Sequence, residues 1–234
     1  MRRTIICLMV MCLIGGTVGL AFGESEDNGT NNWKKLIASP SYGLNIGFFN
    51  LEYEDTNEDT QKDTLVLPGI DFRHFNGINV PRDGGFYYGY ELGFSVNGYP
   101  SSHSFEDAGT DYTLNEMVVF AAMLMVKHGY RFDLGTGPHR PGFGFELGMG
   151  ITAGGADMNI TEDDDETETN LASVDEEPVK PTFELGIEGF LHRDEDSSFV
   201  VRLAVMAGMP LIDGNYGEMA PVRISIRGGF FRNH

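Results

Sequence analysis

The charged residues of this chain fall into two patterns with different chemistry. In the first, single acids and bases stand between apolar neighbours: Glu91, Lys127, Arg131, Glu146, Glu184, Glu188, Arg202, Arg223 and Arg227. These four acids and five bases nearly balance, whereas the chain as a whole has 16 Lys and Arg against 35 Asp and Glu. Charges withdrawn from water must be paired, so the balance predicts an ion-paired network. The same row of groups would also serve a proton or ion pathway. In the second pattern acids run together, as in Glu162-Asp163-Asp164-Asp165-Glu166-Thr167-Glu168, in Asp175-Glu176-Glu177, and in Glu54, Asp55, Glu58, Asp59 and Asp63. Calcium takes six to eight oxygen ligands, so these runs could collect divalent cations or meet an external partner. They lack the spacing and turn glycine of an EF-hand, and solvated acidic loops are the plainer expectation.

Nucleophilic chemistry has little to work with. The histidines, His74, His103, His128, His139, His192 and His234, are scattered and sit beside no recognisable motif, so no catalytic residue, cofactor or metal is expected. Cys7 and Cys12 both fall in the first 23 residues. Those residues read as a secretory signal peptide: Arg2-Arg3, an apolar run from Thr4 to Leu20, then Ala21-Phe22-Gly23 before Glu24. Export through the Sec route with cleavage near Gly23 would leave no cysteine for a disulfide or a thiol nucleophile. It would also leave 14 basic against 35 acidic residues, a formal charge of -21, which excludes nucleic acid as a partner.

The elements that must position the first set of charges alternate with period two, the mark of strands with two unlike faces. Phe86, Tyr88, Tyr90, Leu92, Phe94 and Val96 oppose Tyr87, Gly89, Glu91, Gly93 and Ser95. The pattern returns in 141–153, 182–191, 199–208 and 222–230. Weaker strands cover 42–53, with a change of phase at Phe48-Phe49 that predicts a bulge, and 65–75, where Pro68 lacks a ladder donor. The eighth, 114–132, is apolar on both faces from Met117 to Val126, a stretch that a short buried helix would also explain.

Two observations set the orientation. The charged face is rich in glycine, which suits a lumen just wide enough for side chains, and the opposite face carries aromatics toward the strand ends, as a lipid-facing wall does. The joins alternate between short (76–85, 133–140, 193–197) and longer or more polar (54–63, 98–113, 154–180, 210–220), the order of an up-and-down barrel in an outer membrane. Met117, Val119, Ala121, Met123 and Met125 would then form an apolar lumen wall, either packing filler or a guide for a small hydrophobic compound. A soluble periplasmic barrel of lipocalin type is the alternative in which the faces are reversed.

On the leader, the repeats and the join order, the chain resembles the small eight-stranded outer-membrane barrels of the OmpA, OmpX and OmpW type over roughly 42–231. The resemblance implies an all-β, closed, antiparallel, up-and-down transmembrane β-barrel, contact with outer-membrane lipid, and handling by the barrel assembly machinery. It also implies an aromatic end to the last strand, here Phe230-Phe231 followed by 232–234. The expected organisation is signal peptide 1–23, polar lead-in 24–40, barrel 41–231 and tail 232–234. A structural or surface role is expected; a narrow conduit of the OmpW kind is the alternative.

Overall fold

Alternating β-branched, aromatic and glycine residues give strands far longer than the five or six residues usual in soluble sheets. The computed structural model describes residues 37–54, 59–79, 85–135, 139–162, 165–170, 179–192, 197–208, 213–214, 217–220 and 222–232. The strands are β1 (Ile37–Glu54), β2 (Thr60–Asn79), β3 (Gly85–Tyr99), β4 (His103–Asp107), β5 (Thr110–Asp133), β6 (Pro141–Glu162), β7 (Asp165–Asn170), β8 (Val179–His192), β9 (Ser197–Gly208), β10 (Asp213–Gly214), β11 (Gly217–Met219) and β12 (Val222–Arg232). Eight of them, β1, β2, β3, β5, β6, β8, β9 and β12, pair antiparallel with their neighbours, and β1 closes the ring by pairing with both β2 and β12. The fold is therefore the eight-stranded closed barrel expected. The stretch from Met117 to Val126 lies within β5 and is not a helix.

The barrel has a near end, where the described chain begins and ends, and a far end. Near-end joins are short, with β2 stopping at Asn79 and β3 starting at Gly85. At the far end the strands continue past the ring. β5 and β6 stay paired to Tyr112↔Glu162, whereas β6 and β8 part at Ala153↔Val179. Much of what reads in sequence as the long joins 54–63 and 98–113 is thus strand. β4 and β5 form a hairpin whose two turn residues, Ala108 (φ 51°) and Gly109 (φ 84°), are both left-handed, as the tightest hairpin turn requires. Its tip bends onto β1: the Ala108 amide donates to the Glu54 carbonyl at 2.7 Å, and the Glu54 amide donates to Asp107 Oδ1 at 2.9 Å. β10 and β11 form a smaller hairpin on β1, possible because Gly217 (φ 134°) has the Asn50 carbonyl oxygen 2.0 Å from where a Cβ would stand.

One expectation needs correction. There is no bulge at Phe48-Phe49, since β1 and β2 pair without interruption from Ile37↔Gly77 to Glu54↔Thr60. The inward face itself changes character there, from Gly43 and Asn45 to buried Phe49 and Leu51. The register shifts instead lie at Gly77/Asn79, Leu114/Glu116 and Thr161/Glu162. Pro68 does not interrupt the β1–β2 ladder, where it sits opposite Ile46. It stands next to the last β2–β3 pair, Gly69↔Asn97, and Pro100 follows β3. A proline has no N–H to give, and above this point β2 pairs with β1 alone.

Candidate functional site: a charged core inside the barrel

Each wall strand has an apolar outward face and an inward face with its own sequence of layers. Outward residues are open, for example Leu185 at 65% exposure and Phe145 at 54%. Inward charges are closed off, with Glu91 and Lys127 at 0%. This arrangement is inside-out relative to a water-soluble protein.

All nine charged residues singled out in the sequence lie in the interior. Lys127 Nζ reaches Glu184 Oε1 at 2.5 Å, Glu146 Oε1 at 2.8 Å and Glu91 Oε1 at 3.4 Å. Arg227 joins Glu184 at 2.6 Å and Glu91 at 3.2 Å. Arg202 lies 3.2 Å from Glu188, 3.4 Å from Glu146 and 3.4 Å from Glu91. Arg131 Nε donates to Glu188 Oε1 at 2.6 Å. Tyr87, inward on β3, donates to Glu146 Oε2 at 3.0 Å, and its ring lies under the Arg131 guanidinium at 5.0 Å. Arg223 differs: its contacts are Ser95 Oγ at 3.4 Å and Met206 Sδ at 3.2 Å.

Sequence reasoning missed two members of the network. Arg73 Nε donates to Asp71 Oδ1 at 2.7 Å, and Arg73 Nη1 lies 3.3 Å from Glu91. The signal was present, an acid and a base two residues apart with Phe72 and His74 on the other face, but it lies in β2, whose pattern is the weakest. Glycine makes room for these long side chains. A Cβ at Gly93 would stand 2.4 Å from Arg73 Cδ, and one at Gly129 would stand 2.3 Å from the Tyr87 ring. Chemically, the set can hold the lumen shut: every carboxylate in it faces a cation, and the ion pairs join β2, β3, β5, β6, β8, β9 and β12.

Met117, Val119, Ala121, Met123 and Met125 are all buried and inward. All but Met125 belong to an apolar cluster filling the far half of the interior with Phe49, Leu51, Leu67, Phe105 and Met206. A smaller cluster, Phe75, Tyr87, Phe190 and Val200, fills the near end. At the far rim Asp63 accepts from Tyr53 at 3.0 Å and lies 3.1 Å from His103 Nε2. Partial desolvation, then the Asp63 hydrogen bond, raises the Tyr53 phenol above its ordinary value, so it remains a donor. Lys62 pairs with Glu52.

The histidines do not converge. His74 is buried on β2 beside Asn76, His128 lies against Phe86 and Tyr88 on the outer wall, and His139 is exposed between β5 and β6. His234 lies outside the described residues, as do Asp55, Glu58 and 175–177. Among the described residues no group of three or more His, Cys, Asp or Glu could hold a metal ion.

No protein-family model matches the chain, and no curated protein matches it in sequence. Among solved structures it is similar to Ail, the attachment invasion locus protein of Yersinia pestis, in complex with the heparin analogue sucrose octasulfate. That likeness has 11% identity and a TM-score of 0.43, over 84% of this chain and 99% of that one. Neisserial surface protein A gives 10% identity and 0.37, over 86% of this chain and 100% of that chain. The outer membrane protease OmpT of Escherichia coli gives 8% and 0.40, over 89% and 100%.

Proposed function

We propose that the chain is an integral outer-membrane barrel with a closed lumen, and that its working surface is the acidic far-end rim, facing outside the cell. The observation that carries this reading is the inverted polarity: apolar residues open on the outer wall, and ion pairs sealed in the middle. An apolar band crossed by tilted strands of about 9 to 11 residues fits a bilayer, and the extensions beyond it carry Glu52, Glu116 and Asp157. The charged core and the packed far-end cluster favour a structural or surface-interacting role over catalysis or transport. An acidic rim suits a basic or cation-bridged partner, and it disfavours a polyanion of the kind bound to Ail.

Unboiled and boiled samples compared by SDS gel mobility test the barrel reading, since a folded membrane barrel resists the detergent and migrates apart from its unfolded form. Release from membranes by carbonate without detergent would overturn it in favour of a soluble periplasmic barrel. The apolar wall of Met123 and its neighbours supports a second reading, a conduit for small hydrophobic molecules. Uptake that falls when Met123 and Met125 are replaced by Glu would establish that reading against the closed lumen.

A further inference from the structure

The two oxygens of Asp71 are treated differently by the core. Oδ1 accepts from Arg73 Nε at 2.7 Å. Oδ2 accepts no hydrogen bond from any protein group, and the nearest cation, Arg227 Nε, stands 3.9 Å away, beyond hydrogen-bond reach. Asp71 is 3% exposed, and a carboxylate oxygen withdrawn from bulk water without a donor loses what hydration gave it. Arg223 has the opposite need. Its guanidinium donates to Ser95 Oγ at 3.4 Å and to Met206 Sδ at 3.2 Å, a thioether is a weak acceptor, and N–H groups are left to give. Asp71 and Glu184 both attract the Arg223 charge, yet its hydrogen bonds go to neither.

One small cavity is lined by both groups, with Arg73, Ser95 and Ser225 among its other walls and Met206 from the far-end apolar cluster. About 10 Å³ of it is open to the centre of a water molecule, which is the space one water needs and no more. Size alone does not fill a cavity, since one lined by hydrocarbon stays dry, whereas a buried water is kept by two to four hydrogen bonds. Here the partners are present. Asp71 Oδ2 is an acceptor, the Arg223 guanidinium a donor, and the Ser225 hydroxyl can be either.

We propose that this cavity is a binding site for one water molecule, which donates to Asp71 Oδ2 and Ser225 Oγ and accepts from the Arg223 guanidinium. The bridge satisfies the free carboxylate oxygen and brings the Asp71 charge to Arg223. One acid then answers Arg73 directly and Arg223 at one remove, and the water forms the joint between the ion-paired layer of the interior and the apolar layer beyond it.

Crystals of the protein purified from membranes, diffracting far enough to show ordered waters, should hold one peak within about 3.2 Å of both Asp71 Oδ2 and the Arg223 guanidinium. A site without density overturns the proposal, and so does a guanidinium bonded directly to Oδ2. Two substitutions separate a wet cavity from a dry one by the sign of their effect. Ser225→Ala removes one partner and should keep the peak, whereas Ser225→Val puts a methyl group where the water sits and should abolish it. The urea midpoint of Ser225→Val should therefore fall below that of Ser225→Ala. In a dry cavity the order reverses, because the added methyl fills empty space and valine suits a strand better, so a valine midpoint at or above the alanine one refutes the water. If neither variant folds, the density in the unsubstituted protein decides.

Discussion

Glu91 lies within 3.4 Å of Arg73, Lys127, Arg202 and Arg227, so its two oxygens serve four cations donated by four other strands. Removing one partner from a buried ion pair leaves the rest uncompensated, at a cost of about 3 to 5 kcal/mol. Glu91→Ala is expected to lower the unfolding free energy obtained from a urea series, read by gel mobility, by that amount. Glu116→Gln, on the exposed rim, should stay within about 0.5 kcal/mol of the parent. The nine charges of the first pattern were legible because each interrupts a strongly alternating strand. Asp71 and Arg73 were not, because Pro68 and Gly69 blur the alternation that would have exposed them.

At the scale of the element, the outer wall and the far-end hairpins answer to different solvents. Leu185, 65% exposed on β8, faces the middle of the apolar band. Leu185→Arg should cost about 2 to 4 kcal/mol in lipid, measured by unfolding in vesicles, and should cost little in a water-soluble barrel. On the β4–β5 hairpin, Ala108 holds a left-handed backbone that costs an L-residue about 1 to 2 kcal/mol and that asparagine tolerates. Ala108→Asn is expected to stabilise the rim by up to about 1 kcal/mol, seen as slower hydrogen exchange at Glu54 and Thr110. Strand period and the near-end turns were readable, because lipid and lumen enforce opposite faces. The far half misled. Beyond the apolar band of the outer wall the interior is an ordinary dry core, so the inward face turns apolar at Phe49 and Leu51 and imitates a slipped register.

Across the whole molecule, the interior takes up at least seven of the 16 Lys and Arg residues and at least five of the 35 Asp and Glu. The surfaces left outside are correspondingly more acidic than the composition implies. Screening by salt weakens exposed electrostatics and spares buried pairs, so raising ionic strength should alter rim binding while leaving barrel stability nearly unchanged. Planar bilayers containing the protein should show no unitary conductance steps, because ion pairs and the apolar cluster occupy successive layers of the lumen. Steady single-channel openings would contradict the closed interior.

The contacts of the charged core join residues distant in the chain: 111 positions separate Arg202 from Glu91, and 136 separate Arg227 from Glu91. An intermediate with only the first few strands wound would therefore carry naked guanidinium and carboxylate groups toward hydrocarbon. Such a species has no stable resting place in a bilayer, so the wall cannot be laid down one hairpin at a time. On the membrane reading proposed above, the meeting of β1 and β12 is expected to come last, with the ion pairs forming as the seam shuts, and maturation should be slow.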